Sequence, residues 1–129
     1  MSNVWLSALL AVTLQDTTWI LTHVGETPMA GTKLQSAASI VFARTPARFS
    51  GSTGCNRLAG TYELREQSIT FGPAMVTKMA CAGGMDVETA FLDALPKVRA
   101  WRIAGRTLEL LDAGGQAVLR FDARSSPAP

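Results

Sequence analysis

The sequence predicts an α+β fold in which a meander of short antiparallel strands is interrupted by one helix. Three observations carry this. Apolar and polar residues alternate with period two from Thr17 onward, turn-forming residues separate the successive runs, and a single stretch repeats its apolar residues at helical spacing.

Strands are expected at residues 17–24, 39–44, 47–50, 61–65, 68–71, 98–104, 107–111 and 117–122. Tyr62 and Leu64 alternate with Glu63 and Arg65, Ile69 and Phe71 with Ser68 and Thr70, and Leu119 and Phe121 with Arg120 and Asp122. This is the pattern of a strand with one face buried and one wet. Thr45-Pro46, Glu66-Gln67, Gly105-Arg106 and Ala113-Gly114-Gly115 stand between them and are short enough for hairpins. The helix is expected where Val87, Phe91, Ala94, Leu95 and Val98 form one stripe, with Glu88, Asp93 and Lys97 off it. Asp86 is placed to cap its first amides, Glu88 opposes the positive end of the dipole, and Pro96 stops the helix near Leu95. Its apolar face must be covered, so it is expected on one mouth or face of a curved sheet.

The 129 residues, 47% of them apolar, suit one domain with its own core. Twelve basic residues against 10 acidic leave a net charge of +2, and the basic ones are scattered singly. That distribution does not form the stripe a nucleic acid requires. Residues 1–16 are a separate apolar segment, 17–122 the domain, and 123–129 a mobile tail rich in Ser and Pro. Residues 4–14 have the length of a secretory apolar region, shorter than the roughly 20 residues a membrane-spanning helix needs. They lack a preceding Lys or Arg and a small-x-small cleavage pattern. Trp5, Leu9 and Val12 are therefore expected to dock a short helix on the core, with any native targeting segment outside this sequence.

The chemistry-bearing residues concentrate in two short segments, Gly54-Cys55-Asn56-Arg57 and Thr77-Lys78-Met79-Ala80-Cys81, which hold both cysteines. Each is flanked by residues that favour turns, so the loops are able to meet. A bridge would contribute about 3.5 kcal/mol by the chain-entropy model and would imply an oxidising compartment. From the residues alone, two unpaired, partly buried thiols fit equally well.

Met75, Met79, Cys81 and Met85 form a soft donor set of the kind copper(I) prefers, but Met75 and Met79 at a spacing of four suit core packing on one helical turn better. No metal or other cofactor is expected. The sole histidine, His23, lies in a predicted strand, and no CxxC pair exists. A catalytic Cys55 would need His23 as its base, with no further support. Gly31-Thr32-Lys33 has the wrong order for a phosphate loop, and Gly51-Ser52-Thr53-Gly54 is not a nucleophile elbow.

Taken in order, Trp19-Ile20-Leu21, Arg48-Phe49-Ser50-Gly51, Gly54 to Gly60, Thr77 to Cys81, Glu88 with Phe91 and Leu95, and Leu108 to Phe121 resemble the META/HslJ-like domain family over roughly Thr17 to Phe121. The resemblance implies an incompletely closed, barrel-like antiparallel sheet with one main helix packed on it. It also implies a bridge between Cys55 and Cys81. Gly54, Asn56, Gly60, Thr77 and Met79 become structural residues, the glycines for tight backbone, Asn56 for hydrogen bonding in the turn, and Thr77 and Met79 for positioning the second cysteine loop.

Family members are commonly exported bacterial envelope proteins or lipoproteins, linked to heat shock and antibiotic tolerance, with no established enzymatic reaction. The expectation is thus a monomeric, non-enzymatic protein of the periplasm or outer membrane that binds a partner protein or apolar ligand at a groove or strand edge. No cysteine follows the N-terminal apolar run, so membrane association is expected only through a lipid anchor outside this sequence. The alternatives are a small-molecule or soft-metal binder using the Met/Cys cluster and a thiol-dependent enzyme using Cys55.

Overall fold

A computed structural model describes residues 12–29, 37–79, 81 and 83–124. The expected helix around Trp5 and Leu9, the Gly31-Thr32-Lys33 segment and residues 125–129 lie outside the described residues. The strands are β1 (Thr18–Val24), β2 (Thr27–Pro28), β3 (Ser39–Ala43), β4 (Arg48–Ser52), β5 (Arg57–Arg65), β6 (Ser68–Phe71) and β7 (Met75–Val76). After them come the helix α1 (Met85–Ala94), a 3-10 turn (Leu95–Lys97), β8 (Ala100–Ala104), β9 (Thr107–Leu111) and β10 (Ala117–Ala123).

Every pairing is antiparallel, and the order β10-β9-β8-β6-β5-β4-β3-β1 returns on itself because β1 also pairs with β10. The sheet is therefore a ring, closed unevenly. At the β1–β10 junction Trp19 to Val24 lie against Leu119 to Ala123, whereas β6 and β8 share one register pair, Ser68 with Ala100. Two backbone bonds reinforce that seam, from the Ile69 amide to the Arg99 carbonyl and from the Trp101 amide to the Gln67 carbonyl, each 3.0 Å. The 3-10 turn packs against β6 beside it.

Inward-facing side chains fill the ring, because the period-two pattern of each strand sends every second residue to the same space. Trp19, Ile40, Phe42, Phe49, Ile69, Leu108, Leu110, Leu119 and Phe121 are all buried there. Phe42 meets Tyr62 edge-on at 5.3 Å between centroids, and Phe49 meets Phe71 at 5.2 Å. The polar ends of the largest residues are satisfied: Trp19 Nε1 donates to the Leu14 carbonyl at 2.9 Å, and the Tyr62 hydroxyl donates to the Ala43 carbonyl at 2.6 Å. Helix α1 buries Val87, Phe91 and Ala94 over this core, with Phe91 beside Phe121.

Four local expectations are corrected. Strand β5 begins at Arg57, four residues before the expected start, because residues 57–60 pair with β4 and two of them, Leu58 and Ala59, also with the short β7. Met75 lies in β7 and Met79 in a loop, 73% and 57% exposed, so they neither share a helical turn nor fill the core. The helix is capped by Gly84, with φ of 82°, and Asp86 sits inside the first turn, where its Oδ1 accepts from the neighbouring Val87 amide. Glu88, expected toward solvent, is buried.

Two glycines mark where backbones press together. A Cβ on Gly60 would stand 2.7 Å from the Phe49 ring and 2.9 Å from the Pro73 carbonyl oxygen. Neither the packed ring nor the backbone yields cheaply, so Gly60→Ala is expected to cost about 1–3 kcal/mol in urea unfolding. A Cβ on Gly51 would overlap the Ser39 carbonyl outright.

On the outer face, Glu109 accepts hydrogen bonds from Arg102 and from Arg120, and these bonds, Arg102's first, hold its carboxyl below the usual carboxylate range against a weaker effect of burial. A depressed pKa contributes stability above the unfolded value of about 4.3, and this is lost as pH falls through the folded value. The arginine side chains are 58% and 40% exposed, so salt screens the cluster. Glu109→Gln should accordingly be less stable than the parent at neutral pH, with the gap closing in acid unfolding curves and narrowing at high salt.

Candidate functional site

The turn from β4 into β5 is built by hydroxyl and amide side chains. The Thr53 hydroxyl accepts from the amides of Asn56 at 2.8 Å and Cys55 at 3.3 Å, and the Thr53 amide donates to the Asn56 carbonyl at 2.8 Å. Gly54 completes the turn with φ of 96° and donates its amide to the Ser52 hydroxyl at 2.9 Å. This places Cys55 and Asn56 against the incoming Thr77 to Cys81 loop. Cys55 and Cys81 are joined by a disulfide with α-carbons 5.9 Å apart, and no cysteine is free.

Asn56 links three elements. Its Oδ1 accepts from the Met79 amide at 2.7 Å and the Thr77 hydroxyl at 2.9 Å, while its Nδ2 donates to Glu88 Oε1 at 2.8 Å and to the Met79 carbonyl at 3.3 Å. Glu88 also accepts from the Thr53 hydroxyl at 2.6 Å. The Thr77 hydroxyl in turn accepts from the Arg57 amide at 3.0 Å, so the second loop continues the ladder begun by β7. A buried carboxyl with two donors, seated in the first turn of α1 where the helix dipole favours it, is compatible with burial. Helix, turn and cysteine loop are thereby fastened at one point.

Neither nucleophile that this constellation suggests is available. A threonine hydroxyl donating to a carboxylate has the form of an activated nucleophile, but Thr53 is fully buried and its oxygen already holds three partners. The bridge removes the thiolate that a Cys55 nucleophile or a Met/Cys copper site would need. Among the described residues no group of three His, Cys, Asp or Glu is arranged to hold a metal ion, and His23 Nδ1 faces the Thr22 hydroxyl at 3.0 Å.

What the node does position is a groove. Outside the barrel wall formed by β4, β5 and β7 lies an open depression of about 1280 Å³. Its floor is of small residues, Ser50, Gly51, Ser52 and Ala59, and Met75 and Met79 rise beside it. Arg48 and Arg57 line it as well, and among the described residues none that lines it is acidic. A smaller apolar crevice of about 420 Å³ lies between the end of α1 and the β6–β7 connection, against Phe71, Leu92 and Leu95.

The structure thus brings Cys55, Cys81, Gly54, Asn56, Thr77 and Met79 together and leaves Gly60 apart, under Phe49. Sequence reasoning missed Thr53 and misplaced Glu88. Glu88, Phe91 and Leu95 follow the spacing i, i+3, i+7, which is the signal that puts Glu88 on the buried stripe. Arg48, Arg57 and Met75 belong to the groove only through strand register, which spacing alone does not supply.

With this geometry established, the comparisons assign the class. The META domain profile matches residues 12–125, and the chain belongs to the META domain family. It is similar to the NMR structure of a protein from Burkholderia xenovorans, at 26% identity and a TM-score of 0.67, covering 88% of this chain and 85% of that one. A second NMR structure matches at 24% identity and a TM-score of 0.64 over 87% and 95%. A DUF4847 family protein from Bacteroides vulgatus matches at 18% identity and a TM-score of 0.52 over 70% and 61%. The last two speak for the fold alone. No curated protein matches the sequence.

Exchanging the Asn56 amide nitrogen for oxygen tests the node at constant size. Asn56→Asp sets a second carboxylate oxygen where the donor met Glu88 at 2.8 Å. The variant should lose about 2–4 kcal/mol at neutral pH in denaturant unfolding, far more than a surface substitution.

Proposed function

We propose that this META-domain chain is an exported, non-enzymatic envelope protein of the stress-response and antibiotic-tolerance type, acting by binding a partner protein at the outer groove. The Cys55–Cys81 bridge carries the reading. A structural disulfide persists in an oxidising compartment, and this one stands at the groove's edge beside Met79, where it fixes the recognition surface. Membership of the META family supports the envelope location and the stress role.

The packed interior weighs against a ligand held inside the barrel, since Trp19, Phe42 and Phe91 are fully buried and Phe71 and Trp101 pack on the same core. Binding is thereby directed to the outside. A groove of small floor residues flanked by flexible thioethers suits a protein surface better than a rigid cofactor.

A photoreactive p-benzoylphenylalanine in place of Met79, expressed in the bacterial envelope, should crosslink to a discrete partner on irradiation. The same group in place of exposed Arg106, on the β8–β9 turn, should not. Identical crosslinks from both positions, or none from Met79, would contradict groove binding, and recovery of free thiols from the native protein would contradict the location.

A further inference from the structure

The chemistry of the groove specifies its occupant more narrowly. The outward residues of β4 are Arg48, Ser50 and Ser52, and register places them opposite Thr61, Ala59 and Arg57 of β5, with Met75 of β7 beyond Ala59. The two arginines therefore stand at opposite ends of the floor, four residues apart along the strands, on the order of 13 Å. Both are exposed, and among the described residues neither guanidinium has an ion-pair partner, whereas Arg44, Arg102 and Arg120 each have one. Between them lies the uncharged centre of Ser50, Ala59 and Met75.

An extended peptide repeats its side-chain direction every second residue, so positions i, i+2 and i+4 face one way over about 13 Å. We propose that the groove recognises an extended segment of a partner protein carrying acidic side chains at i and i+4 and an apolar side chain at i+2. The two carboxylates meet Arg48 and Arg57, and the apolar residue lies on Ala59 and Met75 between them. Recognition runs through side chains, because the β4 and β5 backbones under the floor are already paired on both sides. A lipid with one anionic head would engage one arginine and leave the other unanswered. This inference rests on the groove-binding reading above and narrows its partner.

The test is fluorescence anisotropy of the full oxidised chain with a labelled nine-residue peptide bearing glutamate at positions 3 and 7, leucine at 5 and serine elsewhere. Binding is expected, weakening at least tenfold when both glutamates become glutamine or when the second is moved from position 7 to position 6, which faces away, with the leucine at position 5 left in place. Arg48→Ala and Arg57→Ala should each weaken it by about tenfold, with melting temperature unchanged because both side chains are exposed, and Arg106→Ala should have no effect. Equal affinity for the glutamate and glutamine peptides, or no peptide binding together with arginine-dependent sedimentation on phosphatidylglycerol vesicles, overturns the proposal. Persistence of the Met79 crosslink with no peptide binding would reject the acidic motif while leaving groove binding intact, and loss of both would reject both.

Discussion

One amide side chain, Asn56, bonds at once to the second cysteine loop and to helix α1 and so ties both to the turn that carries it. Its oxygen takes two donors from the second cysteine loop and its nitrogen serves that loop and the helix, so helix α1, the β4–β5 turn and the Thr77 to Cys81 segment share one buried junction. The disulfide lies against this junction. The two devices differ in kind, because a covalent bond narrows the unfolded ensemble, whereas the amide sets the geometry of the folded state. Loss of the amide would leave the Met79 amide without its acceptor and Glu88 with one donor fewer. A half-satisfied polar network is worse than an apolar one of the same shape.

From that junction follows the division of labour in the molecule. The ring of strands is filled by aromatic and aliphatic side chains, and its weakest seam, between β6 and β8, lies beside the 3-10 turn that follows the helix. Among the described residues the barrel interior is packed, and what the fold offers outward is the wall of β4, β5 and β7. The junction adds to this wall a loop that β7 joins to the sheet by only two residues. The disulfide anchors the far end of that loop at Cys81, and the junction fixes Met79 between the two attachments.

Much of the fold was legible because alternation is a direct physical signature. β3, β6, β9 and β10 lie within a residue of where period two places them, since each has one face in the core and one in water. β2 and β7, at two residues each, are too short to show a period. The start of β5 was hidden because Arg57 to Gly60 is held by β4, with β7 adding pairs only at Leu58 and Ala59, and carries glycine and alanine where an ordinary strand carries larger residues. The bridge became readable through the family motif, since two cysteines alone do not distinguish a disulfide from two thiols. Glu88 misled because a glutamate near a helix start ordinarily belongs to the solvent face, and its burial depends on Thr53 and Asn56, 35 and 32 residues away.

Native-state hydrogen exchange at the Met79 amide tests the central claim most directly. That amide belongs to an exposed residue in an irregular loop, yet it donates to buried Asn56 Oδ1 at 2.7 Å. In the oxidised protein it should open with a free energy close to that of the β4 and β5 core amides, since the junction and the barrel wall open together. Exchange as fast as that of the Gly105–Arg106 turn amides would show that the loop moves independently of the barrel, and the junction would then not be what fixes the groove.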